Sequence, residues 1–284
     1  MRKWQIGEVT VTKIVEMETT GGASWILPDA SPAECRDIEW LKPNFMDEEG
    51  ELKFSVHALV VETPSCTIVV DTCVGNDKER KPFRDWHQLQ TSFLQDFAGA
   101  GFDRDTVDHV LCTHLHVDHV GWNTMWVDGA WVPTFSNASY LVAQDEYDHF
   151  SRTDIEEINQ RVFNDSVAPV YEAGLMQLVA TDHQVCPEVD LVPTLGHTPG
   201  HVSVRIRSGG EQALITGDFV HHPCQMARLD WGSSADLDAA AADATRRRVF
   251  AEYADTPTLI IGTHFAGVTA GHIVRDGDAF RLQT

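Results

Sequence analysis

The sequence predicts an α/β fold in which sheets are covered by helices. Apolar runs rich in β-branched residues keep ending in polar, glycine-containing turns, and helical patterns fall between those runs without a low-complexity linker. The third observation concerns chemistry: imidazoles and carboxylates recur just after the apolar runs, where α/β folds gather ligands at the carboxyl ends of strands.

Taken in order, MRKWQIGEVTVTKIVEME alternates as a half-buried strand does. TTGGASWILPDA then follows, flanked by glycines and carrying Trp25, Ile26 and Leu27, so residues 1–53 read as an N-terminal strand and a loop able to act as a mobile flap. VHALVVET and CTIVVDTCVGND are strands, the second reaching Asp71. WHQLQTSFLQDFAGAG has a helical pattern, VDHVLCTH is a strand that leads to His114, and ASYLVAQDE is another strand. QDEYDHFSRTDIEEINQRVFNDSV reads as helix, after which VDLVPTLGHTPGH, HVSVRIRS and ALITGDFV return to strand and reach His197 and Asp218. The alanine-rich SADLDAAAADATRRRVFAEYAD is a strong helix former, and TLIIGTHFAG ends the series at His264. Five strand ends are thus expected to meet on one rim.

With 284 residues, 43% of them hydrophobic and 23% charged, the chain is long enough for a large core, and one domain spanning 1–284 is expected. No stretch approaches the roughly 18 uninterrupted apolar residues of a membrane span, and the first residues alternate where a signal peptide would be apolar, so a cytoplasmic protein without a membrane partner is expected. The six cysteines are scattered and read as reduced. A net charge of −22 repels a phosphate backbone, which excludes nucleic acid as a partner. The one dense basic run, Arg246 to Arg248, reads as the solvated end of a helix.

The segment CTHLHVDHVGWN, Cys112 to Asn123, carries the chemistry. In an extended segment His114 and His116 point the same way while Leu115 points back to the core, so two imidazoles share one metal. A turn into helix near Asp118 would aim Asp118 and His119 at a neighbouring point and a second metal. Such a crowd of polar groups is costly in a core without a strong partner. Neutral imidazole and carboxylate suit zinc, and His197, Asp218 and His264 can complete both sites. His109, His149, His183 and His272 read instead as hydrogen-bonded residues of core or turn.

THLHVDHVG, LGHTPGH, TGDF and GTHF in that order, with Asp71 in VVDT, resemble the metallo-β-lactamase superfamily from about Phe54 to Gly271. The resemblance implies an αββα sandwich with a two-metal site along one edge. By position, one metal takes His114, His116 and His197, the other Asp118, His119 and His264, and Asp218 bridges them, with Asp71 orienting a ligand histidine. Two divalent ions are implied, zinc first, with manganese, iron or cobalt as alternatives. Branches of the superfamily differ in telling ways. The commonest zinc β-lactamases carry cysteine where Asp218 stands, flavodiiron oxidases add a flavin domain and replace a histidine with glutamate, and glyoxalase II needs a basic C-terminal extension. The pattern here is similar to the lactonase and organophosphate-hydrolase branch. Its lactonases carry tyrosine three residues after the bridging aspartate, whereas His221 stands there, as in the parathion-type enzymes.

The expected reaction is therefore hydrolysis of an ester-like bond, a lactone first, by a metal-bridging hydroxide, with Asp118 passing a proton to the leaving oxygen. Phosphotriester or aryl-ester hydrolysis is the alternative within the fold, and a mononuclear iron dioxygenase the alternative outside it. Trp25, Phe83, Trp86, Trp122 and His221 are expected to line the pocket, with Met125 and Trp126 nearby. Lys81 and Arg84 are the chief cations near these segments, so a neutral small-molecule ester or lactone is the expected partner. Pairing with a second copy of the chain is left open.

Overall fold

The computed structural model describes residues 2–81 and 83–284. The chain begins with β1 (Arg2–Ile6), β2 (Val9–Thr20), β3 (Lys53–Glu62), β4 (Thr67–Val70) and β5 (His109–Leu111), and continues with β6 (Thr124–Val127), β7 (Ala130–Pro133), β8 (Ser139–Ala143) and β9 (Met176–Val179). Among the described residues β1-β2-β3-β4-β5-β8-β9 form one seven-stranded sheet, and β6 and β7 a separate two-stranded ribbon. The second seven-stranded sheet runs in chain order through β10 (Gln184–Cys186), β11 (Val189–Pro193), β12 (Val202–Ser208), β13 (Glu211–Ile215), β14 (Leu259–Ile261), β15 (Ala270–Asp276) and β16 (Ala279–Gln283).

Three buried clusters define the layers. Between the sheets lie Val9, Val11, Leu59, Ile68, Val70, Leu111, Val204, Ile206, Ile215 and Ile261 with their neighbours. Alternation along β4 shows how the pleat divides them: Ile68 and Val70 face this inter-sheet core while Val69 faces the outer cluster with Phe93, Phe97 and Phe150. The outer face of the second sheet is covered by helix Ala239–Tyr253 and by the segment that follows β2, through Ile26, Leu27, Leu41 and Phe45. The αββα order implied by the motifs is the one the chain adopts.

Strand direction brings the loops to one rim. β4 and β5 are parallel, with Val70 opposite Leu111, and β13 and β14 are parallel, with Ile215 opposite Ile261. β11 runs with β13, since each is antiparallel to the β12 between them. The two sheets are tied together there: Ser55 N donates to the His264 carbonyl at 3.0 Å and Val202 N to the Thr113 carbonyl at 3.0 Å.

Three helical expectations change. WHQLQTSFLQDFAGAG is helical only over Phe93–Gly99, because Phe93 and Phe97 pack into the core while Thr91 N, ahead of the helix, donates to the Asn76 side chain. The long helical pattern after β8 breaks into Gln144–Phe150 and Glu157–Val162, then widens into a π turn at Phe163–Val167 before Ala168–Glu172. Arg246 is not solvated. It is 1% exposed and donates to the Phe219 carbonyl at 3.2 Å, 3.8 Å from Asp236, whereas Arg247 and Arg248 pair with Asp243 and Glu252 on the open face of the helix. Asp238, whose side chain accepts from Ala241 N, caps that helix.

Candidate metal centre

The loops at the rim bring His114, His116, Asp118, His119, His197, Asp218 and His264 together. His114, His116 and His197 offer nitrogens within 4.8 Å of one another, as do the ligand atoms of Asp118, His119 and His264. Asp218 Oδ2 lies between the sets, 3.2 Å from His264 Nε2, 3.3 Å from His119 Nε2, 3.8 Å from His197 Nε2 and 3.9 Å from His114 Nε2. Asp118 faces the same point, 3.7 Å from His119 Nε2 and 3.5 Å from His264 Nε2.

Each outer ring nitrogen explains why the inner one points inward. His119 Nδ1 meets Asp71 Oδ2 at 2.8 Å, His197 Nδ1 meets Asp236 Oδ1 at 2.9 Å, His264 Nδ1 meets the Ser55 carbonyl at 3.1 Å, and His114 Nδ1 meets Thr113 Oγ1 at 3.1 Å. An N–H donated outward leaves the Nε2 lone pair facing the centre. Inner nitrogens then confront one another: His116 Nδ1 is 2.9 Å from His197 Nε2 and 3.1 Å from His114 Nε2, and the Nε2 atoms of His119 and His264 are 3.2 Å apart. Lone pairs so close repel unless a proton or a metal cation lies between them, and Asp218 Oδ1 is buried without a hydrogen bond among the described residues. The donor set therefore fits a pair of divalent metal ions.

Electrostatics agree with this division. Burial, then repulsion by neighbouring imidazoles, pushes His114, His116 and His197 well below the usual histidine range, which favours the neutral form that can ligate a metal. Burial is the largest influence on His119 and His264 and pulls both down, but the surrounding carboxylates together, Asp218 first, then Asp118 and for His119 also Asp71, outweigh it and both end above their ordinary values. Burial opposes the charge on Asp218, yet His264, His119 and His221 together hold its carboxyl well below the usual range.

Asp71, at positive φ after β4, also accepts from Thr113 N and Thr113 Oγ1, both at 2.8 Å, and so fixes the start of the metal loop. Gly217 has φ +58, and a Cβ there would come within 2.6 Å of His201 Nε2, the atom that accepts from Asp218 N at 2.7 Å. Sequence reasoning missed His201, Asp236 and Glu146. Asp236 carried no local signal, and Glu146 looked like an ordinary acid at a helix start. Glu146 is buried, accepts from Leu115 N at 3.0 Å and Gly200 N at 2.9 Å, and burial pushes its carboxyl up to about 7.

A cavity of about 1080 Å³ opens onto this centre and reaches His116, Asp118, His197, Asp218, His221 and His264. Trp25, Phe83 and Trp86 line it, with ring centroids 5.8 Å, 6.0 Å and 5.1 Å apart pairwise. Trp122 does not reach it. That indole is buried in the first sheet's outer cluster, stacked on Phe93 at 5.7 Å and donating to Glu16 Oε1 at 2.7 Å, because Glu16 and Phe93 draw it away from the rim. Trp126 lies instead on the ribbon against Trp131. Of the histidines read as structural, His272 hydrogen-bonds the Thr258 carbonyl at 3.0 Å, and His149 stands in the cavity wall.

Among known proteins, the family model described as the metallo-β-lactamase superfamily matches residues 53–264. An N-acyl homoserine lactonase of Bacillus sp is 27% identical over 111 residues, which is 38% of this chain and 36% of that protein, so the match spans just over a third of the relative's length. Two solved structures share the fold along nearly the whole chain. AidC, a dizinc quorum-quenching lactonase in complex with a product, has a TM-score of 0.81 at 22% identity, covering 99% of this chain and 96% of AidC. The hydrolase AbOPH, of the β-lactamase superfamily, has a TM-score of 0.80 at 23% identity with the same coverage of each chain. No helix among the described residues is long and apolar enough to cross a membrane.

Proposed function

We propose, for a chain that belongs to the metallo-β-lactamase superfamily and is a metal-dependent hydrolase, that its substrate is a neutral lactone bearing an apolar tail. The observation that carries this reading is the contact of the inward-facing nitrogens with an aromatic-walled cavity.

On this reading His114, His116 and His197 would hold one divalent ion and Asp118, His119 and His264 the other, with Asp218 within reach of both sets; zinc is the first choice, as in AidC. Such a pair supplies a water acidified toward neutrality and a Lewis acid for the carbonyl. The remaining work falls to the chain. The Asp71 and Asp236 carboxylates keep His119 and His197 in the ligating tautomer. Asp118 is the partly exposed carboxylate at the cavity floor, placed to pass a proton to the ring oxygen as the carbonyl carbon gains the water oxygen and the ring C–O bond breaks. The product is a hydroxy acid. His221 is buried beside Asp218, Nε2 to Oδ2 3.3 Å, without hydrogen-bond geometry at either ring nitrogen, and lines the cavity where it meets the centre. Met17, Trp25, Ile26, Phe83 and Trp86 receive the tail.

His221 in place of the lactonases' tyrosine favours a second reading, hydrolysis of phosphotriesters or aryl esters at the same centre. A dioxygenase needs fewer ligands and leaves His119 and His264, which both face the centre, without a role. The test is a hydrolysis screen of metal-loaded protein with lactones, aryl esters, phosphotriesters and β-lactams, beside metal stoichiometry. Lactone turnover ahead of the other classes with two ions per chain is the expected result. One iron per chain with oxygen uptake, or no lactone hydrolysis, overturns the reading.

A further inference from the structure

We propose that Asp165 is a positioning residue that sets the apolar half of the cavity by holding the Phe83–Trp86 wall against the wall that carries Ile158 and Asn159. This rests on the reading above that an apolar tail occupies the cavity.

The feature begins in the backbone. In the π turn Phe163–Val167, Ala168 N donates five residues back, to the Phe163 carbonyl. Pro169 has no N–H, so the Asp165 carbonyl loses the partner that a continuous helix would give it. Two side chains take its place: Thr124 Oγ1 donates at 2.5 Å and Lys78 Nζ at 3.2 Å. The Asp165 carboxylate faces the same way and receives both arms of the Arg80 guanidinium, at 2.6 Å and 2.8 Å, and the Ser166 hydroxyl at 2.6 Å. Lys78 is completed by Thr124 Oγ1 at 2.7 Å and the Trp131 ring face at 3.6 Å.

Lys78 and Arg80 are both fully buried, and they form the base of the loop made of residues 76–81 and 83–91. That base is closed by Asp77 N to the Leu89 carbonyl, Gln88 N to the Lys78 carbonyl and Arg80 N to His87 Nδ1, at 3.1, 2.8 and 3.1 Å. The far side of the loop carries Phe83 and Trp86 into the cavity. From the other direction, helix Glu157–Val162 brings Ile158 and Asn159 to the cavity and runs directly into the π turn. Asp165 is therefore where the two walls meet, and an outer pair, Arg161 to Glu79 at 2.7 Å, joins them again at the surface. One carboxylate answers both buried side chains. Removing its charge leaves the Arg80 guanidinium uncompensated and Lys78 Nζ without its acidic neighbour, and the loop must shift to rehydrate them.

The test compares Asp165→Asn and Arg80→Lys with the wild-type holoenzyme; the lysine keeps the charge but loses the bidentate fork. Metal content and kcat for a short-tailed lactone are expected to stay within about twofold, while KM for a long-tailed lactone rises on the order of tenfold, the scale of a lost apolar contact in a pocket. Affinity for the neutral fluorophore N-phenyl-1-naphthylamine, which needs no turnover, is expected to fall alongside. If Asp165→Asn fails to fold, Arg80→Lys decides alone. A folded variant with unchanged KM and fluorophore affinity, or equal losses for short and long tails, overturns the proposal. If wild type hydrolyses no lactone, the reaction assigned above fails and fluorophore binding alone settles the role of Asp165.

Discussion

Nε2 of His264 stands 3.2 Å from Oδ2 of Asp218, and the same oxygen is 3.3 Å from His119 and under 4 Å from His114 and His197. One carboxylate oxygen thus serves both sets of imidazoles, whereas His264 belongs to one. Asp218→Ala is expected to lower metal content at both sites, because the shared anion offsets repulsion between two cations. His264→Ala is expected to loosen mainly one. Elemental analysis after dialysis, with a chelator competition, measures this, and Asp218→Ala protein that keeps two ions and full turnover shows the bridging role to be wrong.

Glu146 joins the loop of His114 and His116 to the loop of His197 through two backbone N–H groups, on Leu115 and Gly200. Both partners are donors. In Glu146→Gln the amide nitrogen must face one of them, leaving a buried donor unsatisfied at a cost of about 1–3 kcal/mol. A Cβ on residue 200 would lie 2.4 Å from Glu146 N, so the contact leaves no slack in which to relax. The expected outcome is a lower unfolding midpoint and weaker binding in the step assigned to His114, His116 and His197, with the other step little changed. Stepwise metal titration followed by calorimetry reads both. Equal shifts in the two steps point to a general loss of fold.

Much of the site was legible because ligand chemistry is local. His114, His116, Asp118 and His119 lie within six residues, and the remaining candidate ligands, His197, Asp218 and His264, each follow an apolar run that reads as a strand. The supporting groups were not legible. Asp236 and Glu146 are ordinary acids in their own segments and acquire a role when tertiary packing sets them against His197 and against Leu115 and Gly200. Trp122 misled for a related reason: proximity to the metal loop in sequence says nothing about which face of the sheet an indole takes, and Glu16, 106 residues away, decides it. The broken helix after β8 hides its cause in Pro169, which reads as a helix interruption but not as the release of a carbonyl for Lys78.

Lys78 contributes a pH dependence to stability. Burial, opposed by Asp165, lowers its ammonium to about 7 from an ordinary value near 10.5. Between those limits the unfolded chain binds a proton that the folded chain does not, so stability from this group rises with pH from about 7 to about 10.5 and is lost as pH falls back through that window. Relative to Lys78→Met, which has no charge to bury, wild type should gain up to about 1.4 kcal/mol per pH unit across the window and nothing below it. Urea midpoints of both proteins at pH 6, 8 and 9.5 check the sign. A difference that stays flat with pH means that Lys78 is charged throughout.

Trp25 is the aromatic side chain best placed to close on a substrate. Its neighbours Ala23, Ile26 and Leu27 are buried, and Ser234 pins the backbone by donating from its hydroxyl to the Trp25 carbonyl at 2.5 Å and from its N–H to the Ile26 carbonyl at 2.9 Å. The indole itself is 53% exposed, leaning on Phe83 and Trp86 at the cavity wall. What the expected flap can move most easily is therefore this side chain, over a backbone held on both sides. Burying one methylene is worth about 0.8 kcal/mol, so Trp25→Ala should raise KM by about fourfold for each tail methylene that loses the indole, and leave short-tailed lactones nearly unaffected. A chain-length series of kcat/KM for wild type and Trp25→Ala makes the comparison. Parallel lines for the two proteins, or a preference for polyanionic esters over neutral ones, would remove both the closing indole and the apolar tail from the account of this cavity.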